Sequence, residues 1–136
     1  MSARSGGGTS PLITVCTPTF NRASHLTRVH ESLRAQTFTD FEWLVVDDGS
    51  TDDTHAVVQS LASVSDFVVR SIRKENGGKH SALNIGAAES RGYFCAVLDS
   101  DDWYLPECLA RLKHHWDDIP RPGDFAEVQG LCSDQH

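Results

Sequence analysis

Residues 93–102 read Tyr93-Phe94-Cys95-Ala96-Val97-Leu98-Asp99-Ser100-Asp101-Asp102, six uncharged and mostly apolar residues followed by a polar, acidic turn. A short apolar run bounded by a turn signal reads as a strand buried on both faces. Its acidic end then places carboxylates at the strand's carboxyl edge.

Three similar runs lie upstream. Leu12 to Thr17 is expected as a buried strand halted by Pro18, and Phe41 to Val46 as a second, ended by the turn Asp47-Asp48-Gly49-Ser50. Phe67 to Ile72 gives a third. Between them fall helical patterns. Ser24 is expected to cap the first helix, with Leu26, Val29 and Leu33 recurring at helical spacing before Gln36. Thr51-Asp52-Asp53-Thr54 is expected to open the second, as a hydroxyl cap followed by acids suits the orphan amides and the dipole there. Its apolar face is Val57, Val58, Leu61 and Ala62. Lys79 to Glu89 forms the third, after the loop Asn76-Gly77-Gly78 and before Gly92. Pro106 suits the first turn of a fourth, with Leu105, Cys108, Leu109, Leu112 and Trp116 on one face.

Strands alternating with helices imply right-handed βαβ units and a parallel sheet with helices on both faces, an α/β fold. Ligands bind such sheets beyond the carboxyl ends of the strands, where strand order reverses. That edge carries Pro18 to Arg22, Asp47 to Ser50, Arg73 to Gly78 and Asp99 to Asp102.

The totals narrow the function classes. At 136 residues the chain fits one domain with a real core. A net charge of -7, from 19 acidic against 12 basic residues, and the lack of any Lys/Arg block argue against nucleic acid as the main partner. No apolar stretch has the length of a membrane span or signal peptide. Residues 1–10, rich in Gly and Ser, read as a flexible leader, residues 11–136 as the domain, and the cytoplasm as the location. The seven histidines show no zinc-ligand spacing. The four cysteines form no C-x-x-C pair and read as small buried hydrophobes of a reducing compartment.

Several residues at the ligand edge bear two readings. In an extended segment Asp99 and Asp101 share a face while Ser100 turns away, so both carboxylates can enter one pocket. Two full charges 4 Å apart repel by about 4 kcal/mol at an effective dielectric near 20, and a divalent cation turns that cost into attraction. Hard oxygen ligands suit Mg²⁺ or Mn²⁺; the alternative is a solvated turn that caps the next helix. Asp47-Asp48-Gly49 serves either a plain turn or a ligand. Phe20 serves either the core or stacking on a base, worth about 1–3 kcal/mol. Asn76-Gly77-Gly78-Lys79-His80 can offer amides and a cation to a phosphate, or be a solvated loop. Trp103 and Trp116 read as packing residues rather than sugar platforms.

Taken jointly and in order, Thr17-Pro18-Thr19-Phe20-Asn21-Arg22, Val45-Val46-Asp47-Asp48-Gly49-Ser50-Thr51-Asp52, Asn84-Ile85-Gly86 and Leu98-Asp99-Ser100-Asp101-Asp102 resemble the family 2 glycosyltransferases. The resemblance spans residues 11 to 117. It implies the nucleotide-sugar-binding half of a Rossmann-like GT-A fold, a nucleotide-activated donor, and inverting transfer to a glycan, lipid-linked or other hydroxyl acceptor. Uridine is the expected base. It implies that Phe20 lies against the base, that Asp48 accepts its N–H, and that Pro18 and Thr19 shape the pocket through their backbone. Arg22 and Ser100 join the nucleotide site, Lys79 meets phosphates or sugar, Asp101 binds Mn²⁺ or Mg²⁺, and Asp99 assists it or holds the ribose. The general base and acceptor region are expected beyond His136, with membrane association of the full-length protein left open. The alternatives are a donor-binding module without catalysis, or another doubly wound protein. A dinucleotide dehydrogenase is disfavoured because the first strand leads into T-P-T-F-N-R rather than G-x-G-x-x-G. A receiver domain would carry its acidic pair after the first strand, not the second.

Overall fold

The computed structural model describes residues 10–118. The expected leader, Ser10 apart, lies outside the described residues, as does the stretch Phe125 to Leu131, which reads in the sequence as a further strand.

Four strands and four helices alternate: β1 (Ile13–Thr19), α1 (Ala23–Arg34), β2 (Phe41–Asp47), α2 (Thr54–Ser63), β3 (Val68–Arg73), α3 (Lys79–Glu89), β4 (Phe94–Val97) and α4 (Cys108–Asp117). The strands form one parallel sheet in the order β3-β2-β1-β4. Alternation along each strand divides the core between two faces. Ile13, Val15, Trp43, Val45, Phe94 and Ala96 pack with residues of α1, α2 and α4. Cys16, Leu44, Val46 and Cys95 pack with Ala82, Leu83 and Ile85 of α3 on the other. Helices thus cover both faces, as the alternating pattern requires. β3 departs from the expectation of fully buried strands, because it is an edge strand with Val68 57% exposed.

The tight seat of α3 explains Gly86. A Cβ there would lie 2.3 Å from Cys16 Sγ, so only glycine lets the helix approach β1 this closely. The β2 run is also not wholly apolar, since Glu42 is buried and carries a charge network. Burial opposes its ionisation, but Arg70 at 2.8 Å, the Thr14 hydroxyl at 2.6 Å and the Arg91 amide outweigh that and hold its carboxyl below the usual range.

Local signals misplaced several boundaries. Pro18 does not halt β1, which runs to Thr19. Thr19 O accepts from Asp48 N beside β2, and Cys16 O from Leu98 N beside β4. Because backbone groups alternate sides, Pro18's nitrogen faces the β4 side where that strand has already ended, and no ladder bond is lost. Ser24 is not the cap of α1; the Ala23 amide donates instead to Asp52 Oδ2 at 3.2 Å. Helix α2 starts at Thr54, not Thr51, and Asp52 Oδ1 accepts the Thr54 amide at 3.1 Å. Pro106 and Leu105 precede α4, and Leu105 is exposed rather than on its buried face. Trp116 packs as expected, its ring stacked 4.8 Å from that of Phe94. Cys16 and Cys95 are buried as expected, whereas Cys108 is disulfide-bonded, a correction to the reading of all four cysteines as small buried hydrophobes of a reducing compartment. Among the described residues no helix is long and apolar enough to cross a membrane.

Candidate functional site

From β1 the sheet grows through β2 to β3, then β4 adds on the other side of β1, so strand order reverses between β1 and β4. At this edge the loop after β1, the end of β2, the start of α3 and the turn after β4 come together. A cleft of about 300 Å³ lies there. Pro18, Thr19, Phe20 and Arg22 line it from the end of β1, Asp48 from β2, Lys79 and Ala82 from α3, and Asp99, Ser100 and Asp101 from the turn after β4. The structure therefore brings every residue that the resemblance assigned to the nucleotide and metal sites into one cleft, whereas Asn76, Gly77, Gly78 and His80 do not line it. Ala82 is an addition that reads in the sequence as an ordinary helix residue.

One wall is tightly organised. Asn21 adopts a left-handed backbone, φ 54°, a conformation that asparagine tolerates better than most residues. Its amide donates to Ser50 Oγ at 2.8 Å, and its Oδ1 accepts from the Thr51 and Asp52 amides at 2.8 and 3.2 Å. These bonds tie the loop after β1 to the loop after β2. Phe20 beside them stands out of the core, 44% exposed and lining the cleft, which excludes the core reading.

The acidic pair after β2 divides its duties. Asp47 Oδ1 accepts the Ser50 amide at 2.9 Å and closes the turn. Asp48 is buried at the cleft and binds the loop after β3. Its Oδ1 accepts from Lys74 Nζ at 2.6 Å and from Gly77 N at 2.9 Å, and its Oδ2 accepts from Gly78 N at 2.9 Å. The Lys74 ammonium is the chief reason its carboxyl stays below the usual carboxylate range, with both glycine amides helping against burial. The Gly77 and Gly78 amides are thus committed to Asp48, which speaks against the one of their two readings in which they meet a phosphate. Thr19 lines the cleft, but its Oγ1 is buried and has no hydrogen-bond partner among the described residues.

The opposite wall is acidic. β4 ends at Val97, and the chain turns so that Asp102 N donates to Asp99 O at 3.1 Å. The expected alternation fails in this turn, and Ser100 faces the cleft together with Asp99 and Asp101. One carboxylate oxygen from each of Asp99, Asp101 and Asp102 lies within 4.8 Å of the others. Three hard, anionic oxygens in that space fit a divalent cation such as Mn²⁺ or Mg²⁺ with positions left for water and phosphate. Asp102 joins the set that sequence reasoning had limited to Asp99 and Asp101; its place in the same acidic run was the available signal. Two cations neighbour the cluster, Lys79 Nζ at 2.9 Å from Asp99 and an Arg22 guanidinium nitrogen 3.9 Å from Asp101. Trp103 has the Arg28 guanidinium 4.8 Å above its ring.

Known proteins share this architecture. The family description Glycosyl transferase family 2 matches residues 14–126. A chondroitin synthase of Escherichia coli is 37% identical over 73% of the chain, which spans 14% of that protein. The Staphylococcus aureus TarS 1-349 structure in complex with UDP-GlcNAc superposes with a TM-score of 0.72 at 30% identity, over 79% of this chain and 31% of that one. The mannosyltransferase PcManGT of Pyrobaculum calidifontis, in complex with GDP-Man and Mn²⁺, gives 0.73 at 26% identity, over 83% of this chain and 34% of that one. The chain therefore spans about a third or less of each, and its fold is the Rossmann-like GT-A fold. With a match over most of its length and the parallel sheet, cleft and acidic turn in place, the chain belongs to glycosyl transferase family 2.

Proposed function

We propose that residues 11–136 form the donor-binding half of an inverting, metal-dependent transferase that moves a sugar from a nucleoside diphosphate, UDP in the first instance, to a hydroxyl acceptor. The carrying observation is the set of three carboxylate oxygens within 4.8 Å of one another, across the cleft from exposed Phe20 and buried Asp48. The UDP-GlcNAc held by TarS and the GDP-Man and Mn²⁺ held by PcManGT support the same class of ligand.

Each residue has a role that follows from its chemistry. Phe20 offers an aromatic face to the base, worth about 1–3 kcal/mol. Asp48, held ionised, accepts an N–H from the base edge, and Pro18 and Thr19 shape the pocket beside it. Asp101 and Asp99, with Asp102, would hold Mn²⁺ or Mg²⁺, while Ser100, Lys79 and Arg22 stand where the ribose and diphosphate approach. A bound divalent ion supplies Lewis-acid stabilisation of charge on the departing diphosphate, worth several kcal/mol. The acceptor's proton passes to a carboxylate base on the opposite face of the sugar. The described residues are assigned neither that base nor the acceptor site; a glycan or lipid-linked hydroxyl is the acceptor class proposed.

The test is thermal unfolding with UDP and Mn²⁺ together. At one hundred times its dissociation constant a ligand stabilises by about 2.7 kcal/mol, so the melting temperature rises by several degrees. Asp101→Asn should remove the rise while leaving the unliganded chain folded. Equal stabilisation of both proteins would sink the assignment.

A further inference from the structure

Lys74 lies outside the nucleotide cleft, yet its ammonium is the group closest to Asp48. Its backbone is fixed as well, since Lys74 N donates to Asp47 O at 2.9 Å. The side chain is nearly as buried as its partner, 11% exposed against 7% for Asp48, and it also donates to Glu75 O. A carboxylate has about four acceptor positions. On Asp48 three are filled at ordinary distances, by Lys74, Gly77 and Gly78. Among the described residues the fourth, on Oδ2, has only Asn76 Nδ2 at 3.4 Å, whose closer partner is Asp48 O at 3.0 Å. Asp48 thus reaches the cleft as a fixed anion with one open acceptor position.

We infer that Lys74 is a positioning residue that sets base selectivity through Asp48. This rests on the proposed donor site. An anionic acceptor with one open position suits a base edge that presents a ring N–H, as uracil and guanine do. It repels the bare ring nitrogen that cytosine presents at the same place. Two features make this selective rather than merely attractive. The ammonium keeps the carboxyl from taking up a proton and becoming a donor to cytosine. The two glycine amides keep it from rotating away, so an ill-matched base leaves a buried acceptor unpaired, a cost equivalent to about tenfold to hundredfold in affinity.

The experiment measures dissociation constants of UDP and CDP by calorimetry, with Mn²⁺ present, for the whole 136-residue chain and its variants. The unaltered chain should bind UDP about tenfold to hundredfold more tightly than CDP. In Lys74→Met that ratio should fall at least about tenfold, while the fold by which Mn²⁺ strengthens UDP binding is unchanged. Lys74→Arg, which retains a cationic donor, should recover most of the ratio. If Lys74→Met does not fold, Lys74→Gln carries the test, because it keeps a donor near the same oxygen without the charge, and the ratio should still drop several-fold. Parallel weakening of UDP and CDP would assign Lys74 a structural role only and overturn the inference. Equal binding of UDP and CDP by the unaltered chain would also overturn it, leaving the donor site intact. Binding of neither nucleotide would overturn the donor site and this inference together.

Discussion

The two walls of the cleft are built by different means. On the wall made by the loops after β1, β2 and β3, the side chains are tied to backbone groups of other loops: Asn21 to residues 51 and 52, Asp48 to residues 77 and 78. The acidic wall after β4 has little of this. The side chains of Asp99 and Asp101 are 31% and 57% exposed, and their cationic neighbours Lys79 and Arg22 are themselves half exposed. Folding fixes the first wall, whereas the second is balanced by solvent and by half-exposed counter-charges. The difference suits a site that must recognise one part of its ligand by shape and gather another part by charge. Recognition gains from preorganised groups. A cluster of like charges gains from staying open to the ion that neutralises it.

The sharpest way to break the first wall is Asp48→Ala. It leaves the Lys74 ammonium buried without its partner and strips two glycine amides of their acceptor, so the expected loss is about 3 kcal/mol. Urea unfolding followed by tryptophan fluorescence reads this directly as a lowered midpoint. The pH dependence has a definite sign. Because the folded-state carboxyl lies below its ordinary value, the stability it adds is fully present above roughly pH 4 and is lost as pH falls through the lower, folded-state value. The gap between Asp48→Ala and the unaltered chain should therefore narrow in acid. A loss under about 1 kcal/mol at neutral pH would mean that the loop after β3 does not depend on Asp48.

A milder lesion on the same wall is Asn21→Gly. Glycine accepts the left-handed backbone without strain, so the substitution isolates the side-chain bonds to the Thr51 and Asp52 amides. Those amides are at the surface and water can replace the lost oxygen, so about 1 kcal/mol is expected, a melting-temperature drop of a few degrees. Asn21→Asp keeps an acceptor oxygen and should lose less. A drop as large for Asn21→Asp as for Asn21→Gly would show that the acceptor is not what joins the loops.

These ties also mark where the sequence stops being informative. The strands were legible because apolar runs end in turn signals, and the cleft was legible because the residues at those ends must meet beyond one sheet edge. Helix starts were less so. Ser24 and Thr51 have the chemistry of local caps, but Asp52 reaches across from another loop to the Ala23 amide and also accepts the Thr54 amide, displacing both. Lys74 carries no signal at all, since nothing local says that it will pair with a carboxylate 26 positions earlier. Alternation turned Ser100 away from the cleft, where the resemblance had put it, because alternation holds only while a strand continues and β4 ends at Val97. Side chains that bond between loops are set by the assembled sheet, and no spacing rule reaches that far.

The acidic wall calls for the opposite outcome, and it is the smallest effect. Without metal, Asp101→Asn should change stability by less than about 0.5 kcal/mol in the same urea experiment. Its side chain is 57% exposed and its pairing with Arg22 spans 3.9 Å, a geometry in which side-chain entropy and solvent screening cancel most of the attraction. Removing one of three negative charges whose oxygens lie within 4.8 Å also relieves repulsion, so a slight rise in midpoint is the expected direction. Asp99→Asn should cost marginally more, because Lys79 sits 2.9 Å from it. Equal losses for Asp101→Asn and Asp48→Ala would mean that folding builds both walls alike. A near-zero change at Asp101 that nonetheless abolishes stabilisation by UDP and Mn²⁺ would separate a group kept for its ligand from one kept for the fold.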